Sequence, residues 1–502
     1  MPCVPTWNSM NPVAVFLLLI ASALSAYVLR TERAIRISAV VFGTLASFAL
    51  GLTAIDAFSS GLVFGPRDMW YVGEQGGMLL LVITVVFLLS VMVSYRSIGA
   101  EHQRGILSLS DVRLYYFLLP LFLLSLTASL LANSIIVLWI AMEMGTLVTA
   151  FLVGIYRRKS SLEAAWKYVL LCSMGIGLSL TGLVLAAFAF KAVGLPGGET
   201  FLWTSLSSVA GDPRVNTALL KLSFVFLVVG FATKMGLVPI HAWLPDALSK
   251  TPAPVAALLA GALLPVTFLT LLRFKHIADT ALQGSGWTEG FFLAFGLLSI
   301  VLPSLLLLIQ ENYKRVLAYA TIVHMGVMMF AVGLGPWGMT PALMHLPVFS
   351  LLISAGFFLS GEVILRARST NIEILRGLWR RMPHTSALLF AVLILTLFAP
   401  PGGMFMSELL LIGYGLKVHA FLTLIAIGSA LLFSSAIMRL AFTMFFGEDE
   451  RESLTGEGER LSLVHGVALF EISCAVLLGA AYLLPQTLAF FSALARPLIT
   501  VL

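Results

Sequence analysis

Apolar runs of about 20 residues recur along the whole sequence, each long enough to cross about 30 Å of hydrocarbon. Inside hydrocarbon there is no water to bond the backbone. Each run must satisfy its own N–H and C=O groups, and a helix does that. This constraint sets the fold class as an all-α polytopic membrane bundle. The runs fall near 12–29, 37–55, 77–94, 114–132, 134–156, 165–190, 219–238, 253–274, 290–309, 315–334, 342–364, 386–415, 418–446 and 462–484. That predicts about fourteen spans. PPGG interrupts 386–415, which therefore also reads as two shorter spans.

Composition agrees. The chain is 59% hydrophobic and 11% charged, against roughly 25% charged in an average soluble domain. Mean hydropathy is +1.01. The formal charge of +6 comes from basic residues in short loops, so topology explains it and nucleic acid does not. Cys3, Cys172 and Cys474 are far apart and form no C-x-x-C pair. No metal or iron–sulfur motif follows from them. There is also no Gly-rich nucleotide loop, so no cofactor is expected.

The stretch VAVFLLLIASALSA has the look of a signal peptide. Nothing basic precedes it, however, and Arg30, Arg33 and Arg36 follow it. That is the reverse of a signal peptide. It reads as a retained first span with the N-terminus outside. Odd-numbered loops then face the cytoplasm, and they hold most of the loop lysines and arginines. ARSTNIEILRGLWRRMPH contributes most, through Arg368, Arg376, Arg380 and Arg381. The acidic loop GEDERESLTGEGER, 447–460, departs from this trend. It reads as a solvated loop, or as a docking patch for a basic partner.

Ionisable groups inside apolar spans cost a few kcal/mol and mark ion paths. Here they are Glu143, Lys167, Lys234, His324, His345, Glu362 and Glu408. Glu143 and Lys234 lie near mid-span with opposite charge. Burial disfavours the charged form of either group and a nearby opposite charge favours it. A carboxylate that approached or left Lys234 would change its hold on a proton. The pair reads as a proton relay, or as a strut between two helices. Lys234 also precedes Pro239, His241 and Pro245 in FATKMGLVPIHAWLPDAL, where the helix must break. An interrupted span needs protein or a water-filled cavity to satisfy its freed backbone. His241 and Asp246 lie in or just past this break. Asp246 could simply close the turn. His324 and His345 titrate in a useful range, and each reads equally as a satisfied core group. Lys167 and Glu362 lie near span ends and could snorkel.

A second interrupted span carries Pro400, Pro401, Gly402, Gly403 and then Glu408. Matching breaks in two halves point to inverted repeats. The expected organisation is N-terminal helices at 1–113, a core at 114–446 with repeats 114–274 and 290–446, and an acidic loop with a last helix at 447–502.

Four stretches carry a resemblance: LLANSIIVLWIAMEMGTLVTAFLVGIYRRKSSLEAAWKYVLLCS, GFATKMGLVPIHAWLPDALSKTPAPVAALLAG, YKRVLAYATIVHMGVM and PPGGMFMSELLLIGY. They resemble the antiporter-like membrane subunits of complex I, Mrp antiporters and group 4 membrane-bound hydrogenases. EAAWKYVLLCS and SYRSIGAEHQRG suggest the branch of hydrogenase-4 component F. The resemblance covers about residues 80–450 and implies about fourteen helices, two inverted five-helix units and broken helices in spans 7 and 12. It implies proton translocation, or sodium in some relatives, coupled to redox chemistry in a partner arm and other membrane subunits. It places the chain in the lipid bilayer of a bacterial or archaeal inner membrane. By motif, Glu143 matches the family's span 5 glutamate, Lys234 its paired lysine and Glu408 its span 12 charged group.

The sequence also departs from the family. Pro265 stands where relatives carry Lys or Asn, Phe349 and Ile353 where they carry His and Lys, and Val323 where the hydrogenase branch has Glu. Apolar side chains cannot join a hydrogen-bonded proton chain, so water would have to bridge them. Three functions follow. The chain conducts protons within a redox complex. Alternatively it is a structural subunit of one, with the path interrupted. The third is a cation/proton antiporter subunit.

Overall fold

Hydrophobic run after hydrophobic run becomes helix in the computed structural model, which describes residues 12–60, 62–64, 68–398, 400, 403–448 and 459–499. The first part comprises α1 (Pro12–Val28), α2 (Glu32–Ser60), α3 (Glu74–Gln103), α4 (Leu109–Leu131), α5 (Ile135–Val153), α6 (Lys159–Ala189) and the short α7 (Trp203–Ser208). A small hairpin, β1 (Leu62–Phe64) and β2 (Trp70–Val72), joins α2 to α3. Next come α8 (Thr217–Lys234), α9 (Trp243–Lys250) and α10 (Ala253–Leu258). A π turn at Leu259–Leu263 leads into α11 (Leu264–Ala281). The rest comprises α12 (Trp287–Leu307), α13 (Tyr313–Gly333), α14 (Pro336–Ala367), the short α15 (Leu378–Arg381), α16 (Pro383–Leu395), α17 (Gly403–Val418), α18 (Ala420–Phe446), α19 (Leu463–Ala481) and α20 (Pro485–Ala495).

Among the described residues, 12 helices are long and apolar enough to cross a membrane, and α1 and α16 are shorter apolar helices. The expected fourteen spans are reached only by counting those two. The run at 386–415 is two helices, α16 and α17, with the PPGG segment between them. Pro401, Gly402 and most of the acidic loop lie outside the described residues.

Helices that are apolar all round sit in the middle. The apolar stretches of Ala253–Ala281 and of α13 are entirely buried, while α6, α12 and α18 turn most of theirs outward. Lipid is as apolar as leucine, so small residues and close backbones hold membrane helices together. On α6 and α8, Gly175 and Gly230 back onto each other. A Cβ at Gly230 would lie 2.5 Å from the Gly175 carbonyl oxygen. Gly296 and Gly326 bring α12 and α13 together in the same way.

The first helix break is built from its own sequence. Gly236 has φ +67, a conformation that costs other residues. Pro239 follows a cis bond from Val238. The freed backbone finds partners inside the protein, as the bilayer demands. The Val238 N–H donates to Ser299 Oγ of α12 at 2.9 Å, and the Thr233 carbonyl accepts from the Trp243 indole at 2.8 Å.

Candidate proton-path site

Lys234 is the last residue of α8, where the break begins, and it is fully buried. The expected ion pair with Glu143 is not formed. Lys234 Nζ instead donates to Thr146 Oγ1 at 2.5 Å and to Tyr168 Oη at 3.4 Å. Hydrogen counting gives these hydroxyls a direction. Thr149 Oγ1 donates to the Gly145 carbonyl at 2.6 Å, so it accepts from Tyr168 Oη at 2.6 Å. Tyr168 is then free to accept from Lys234. Glu143 lies one helical turn before Thr146, on the same side of α5. It is half-buried. Its Oε1 accepts from Ser173 of α6 at 2.6 Å and its Oε2 has no hydrogen-bond partner. Thr146 therefore stands between the two charges. An ammonium so far inside, held by neutral hydroxyls, differs from a strut.

The second cluster gathers residues from three helices. His324 of α13, His345 of α14 and Glu408 of α17 are all buried, and each offers an atom within 4.8 Å of the others. Such a trio could also hold a cation by geometry. Its hydrogen bonds run in one direction. Ser407 Oγ donates to the Met404 carbonyl at 2.6 Å, so it accepts from His345 Nδ1 at 2.9 Å. His345 Nε2 must then accept from His324 Nδ1 at 3.2 Å. That tautomer is assigned from the network. It leaves His324 Nε2 as the basic nitrogen, and that atom has no partner. Both oxygens of Glu408 also lack partners. Glu408 lines a cavity of about 20 Å³ with Phe398, Leu411 and Thr423, enough for one water.

Between the clusters the core is apolar. Val323, Phe349 and Ile353 are fully buried and so is Pro265. The Phe349 ring lies 6.0 Å from the His324 ring.

Two predicted path residues fall outside both clusters. Lys167 is adjacent to Tyr168 in sequence but points away. It is 46% exposed and pairs with Glu163 at 2.7 Å and Asp246 at 3.0 Å. Asp246 also meets Arg315 at 3.3 Å, so it ties α6, α9 and α13 at their ends. His241 is half-buried in the break and makes no bond to Lys234. Glu362 is buried but paired with Arg96 at 3.1 Å.

Sequence reasoning missed three buried ionisable groups. Glu471 of α19 is fully buried. It lies inside the apolar run LVHGVALFEISCAVLLGAA, so the signal that found Glu143 also applies to it. Lys275 is buried with Asp279 and lies 3.6 Å from Glu289. Lys314 is buried and donates to the Thr251 carbonyl at 2.8 Å.

A family profile described as NADH:quinone oxidoreductase/Mrp antiporter, transmembrane, matches residues 132–438. The chain belongs to this family. It is 33% identical over 394 residues to a hydrogenase-4 component F homolog of Methylacidiphilum infernorum, covering 77% of this chain and 81% of the relative. In fold it is similar to a chain of an archaeal membrane-bound sulfane sulfur reductase. There the TM-score is 0.83 and the identity 21%, over 97% of this chain and 98% of the other. It is also similar to a chain of the Mrp complex of a Dietzia species. That match has TM-score 0.81 and 17% identity, and covers 98% of this chain and 100% of the other. The chain is an integral membrane, antiporter-like subunit.

Proposed function

We propose that this subunit carries protons across the membrane, driven by electron transfer in other subunits of a hydrogenase-type or NADH-dehydrogenase-like complex. Glu143 and Lys234 form the input and the His324–His345–Glu408 cluster the output. The observation that carries the reading is Lys234: a fully buried lysine at a helix break, bonded to hydroxyls that lead away from it. Moving one charge across 100 mV costs about 2.3 kcal/mol, and this chain holds no motif for a redox centre of its own. The redox arm must supply that energy. The likeness to a hydrogenase-4 component supports such a partner. Two breaks, after α8 and between α16 and α17, support the repeat division 114–274 and 290–446. The basic odd-numbered loops support an N-terminus outside a bacterial or archaeal inner membrane.

A second reading rests on the apolar stretch. Pro265, Phe349 and Ile353 leave no side-chain relay between the clusters, as in a structural subunit with an interrupted path. One experiment separates the two. The whole complex is reconstituted in proteoliposomes, and protons moved per electron are compared for wild type and Lys234→Ala. A lower ratio at preserved assembly supports conduction. An unchanged ratio leaves the structural role.

A further inference from the structure

We infer that Glu471 is an additional proton-carrying residue, standing beside the apolar interruption and offering a way round it. This rests on the proton-translocation reading above. Glu471 lies on α19, beyond the two expected repeats, and none of its surface is exposed. Its Oε1 accepts from Ser354 Oγ of α14 at 2.7 Å, and its Oε2 has no hydrogen-bond partner. One turn back on α14, the buried Ser350 Oγ has no partner either. Two orphaned polar atoms thus share one patch in the core. A carboxyl group in a membrane interior is costly, and so is each unmet hydrogen bond. Packing alone offers no compensation, because an apolar side chain of similar size would fill the same space without either cost.

The position of the patch says what the group could do. His345, Phe349 and Ile353 recur every four residues and form one stripe of α14. Ser350 and Ser354 form the neighbouring stripe, about 100° round the helix. The serine stripe turns toward α19 and the π turn. Gly261, in that turn, is so close that a Cβ there would lie 2.8 Å from the Ser350 carbonyl oxygen. π turns are frequent at functional sites. At about 1.5 Å per residue, Ser354 is about 13 Å along α14 from His345, with Ser350 about halfway. The start of α17 closes the other end. A Cβ at Gly403 would lie 2.6 Å from the Ala475 carbonyl oxygen, one turn past Glu471, and 3.0 Å from Val348. Glu471 and the two serines therefore flank Phe349 and Ile353 along their length and lead toward the helix that carries Glu408.

The test uses the whole complex in proteoliposomes, with protons per electron measured for wild type, Lys234→Ala and Glu471→Gln. Glutamine keeps an acceptor for Ser354 but cannot exchange a proton at that oxygen. The expected result is that both variants fall to the same lowered ratio. A lowered ratio in Lys234→Ala with a wild-type ratio in Glu471→Gln overturns this inference and leaves the conduction reading standing. Wild-type ratios in both variants overturn the conduction reading and this one with it. If Glu471→Gln fails to assemble, Ser354→Ala takes its place, keeping the carboxyl and removing its donor. A lowered ratio there supports the inference and a wild-type ratio overturns it. Electron-transfer-triggered infrared difference spectra of the wild-type complex add a second readout. The expected band is a carboxyl C=O change that Glu471→Asp shifts.

Discussion

Lys234 directs its hydrogen bonds to Thr146 and Tyr168 rather than to a carboxylate, and this decides how its removal should behave. Breaking a buried ion pair strands the surviving charge and costs about 3–5 kcal/mol. Here no carboxylate is left stranded. Lys234→Met, which keeps the stem and removes the ammonium, is expected to leave the thermal unfolding midpoint of the detergent-solubilised complex unchanged or raised. A clear drop would restore the strut. Thr146→Val removes the hydroxyl between Glu143 and Lys234 at nearly constant volume. Its expected effect is a fall in protons per electron with assembly intact, since a hydrogen bond to a charged group contributes about 1.5–3 kcal/mol. At this scale the sequence was readable where a charge interrupts an apolar run, as with Glu143, Lys234 and Glu408. It was not readable for Thr146, Tyr168 and Ser173, because hydroxyls are common in spans and usually bond their own helix. Lys167 was misleading because a residue and its neighbour point about 100° apart on a helix. Tyr168 faces the site and Lys167 does not.

The elements matter because they end in unusual places. α8 stops at Lys234 and the chain turns on Gly236 at φ +67. Gly236→Ala would place a Cβ 2.8 Å from Leu244 of α9 and force a left-handed backbone that costs about 1–2 kcal/mol. The expected outcome is a lowered unfolding midpoint and weaker proton transport together, because the break positions the ammonium. Normal transport in Gly236→Ala would mean that the break is only a connector. Prolines made both interruptions legible in the sequence, and so was the split of 386–415. The π turn at Leu259–Leu263 was not. It is followed by Pro265, which has no N–H to offer the carbonyl four residues back. That carbonyl belongs to Gly261, inside the turn. The proline was read only as a missing relay residue. In the structure it also stands at a local widening of the helix, next to Ser350.

Across the whole molecule, the loops on one side converge. Glu101, Arg158, Lys250, Lys314 and Arg368 line a single cavity of about 240 Å³, together with Thr251 and Ser160. These residues come from the ends of α3, α5, α9, α12 and α14, all odd-numbered loops in the sequence reading. The cavity has room for several waters. Its floor reaches toward the input site: Thr251 Oγ1 donates to the Leu152 carbonyl at 3.4 Å. Leu152 is about one turn along α5 from Thr149, which accepts from Tyr168. If the basic loops lie inside the cell, this cavity opens to the cytoplasm. Ser160 is exposed and lines it. A Ser160→Cys variant, in a chain with Cys3 and Cys474 replaced by serine, is expected to react with a membrane-impermeant maleimide in inside-out vesicles. It is expected to stay unlabelled in right-side-out vesicles. Cys172 is buried and can remain. Labelling only in right-side-out vesicles would invert the topology. The cavity would then face outward, and the direction assigned to Lys234 and Glu408 would reverse with it.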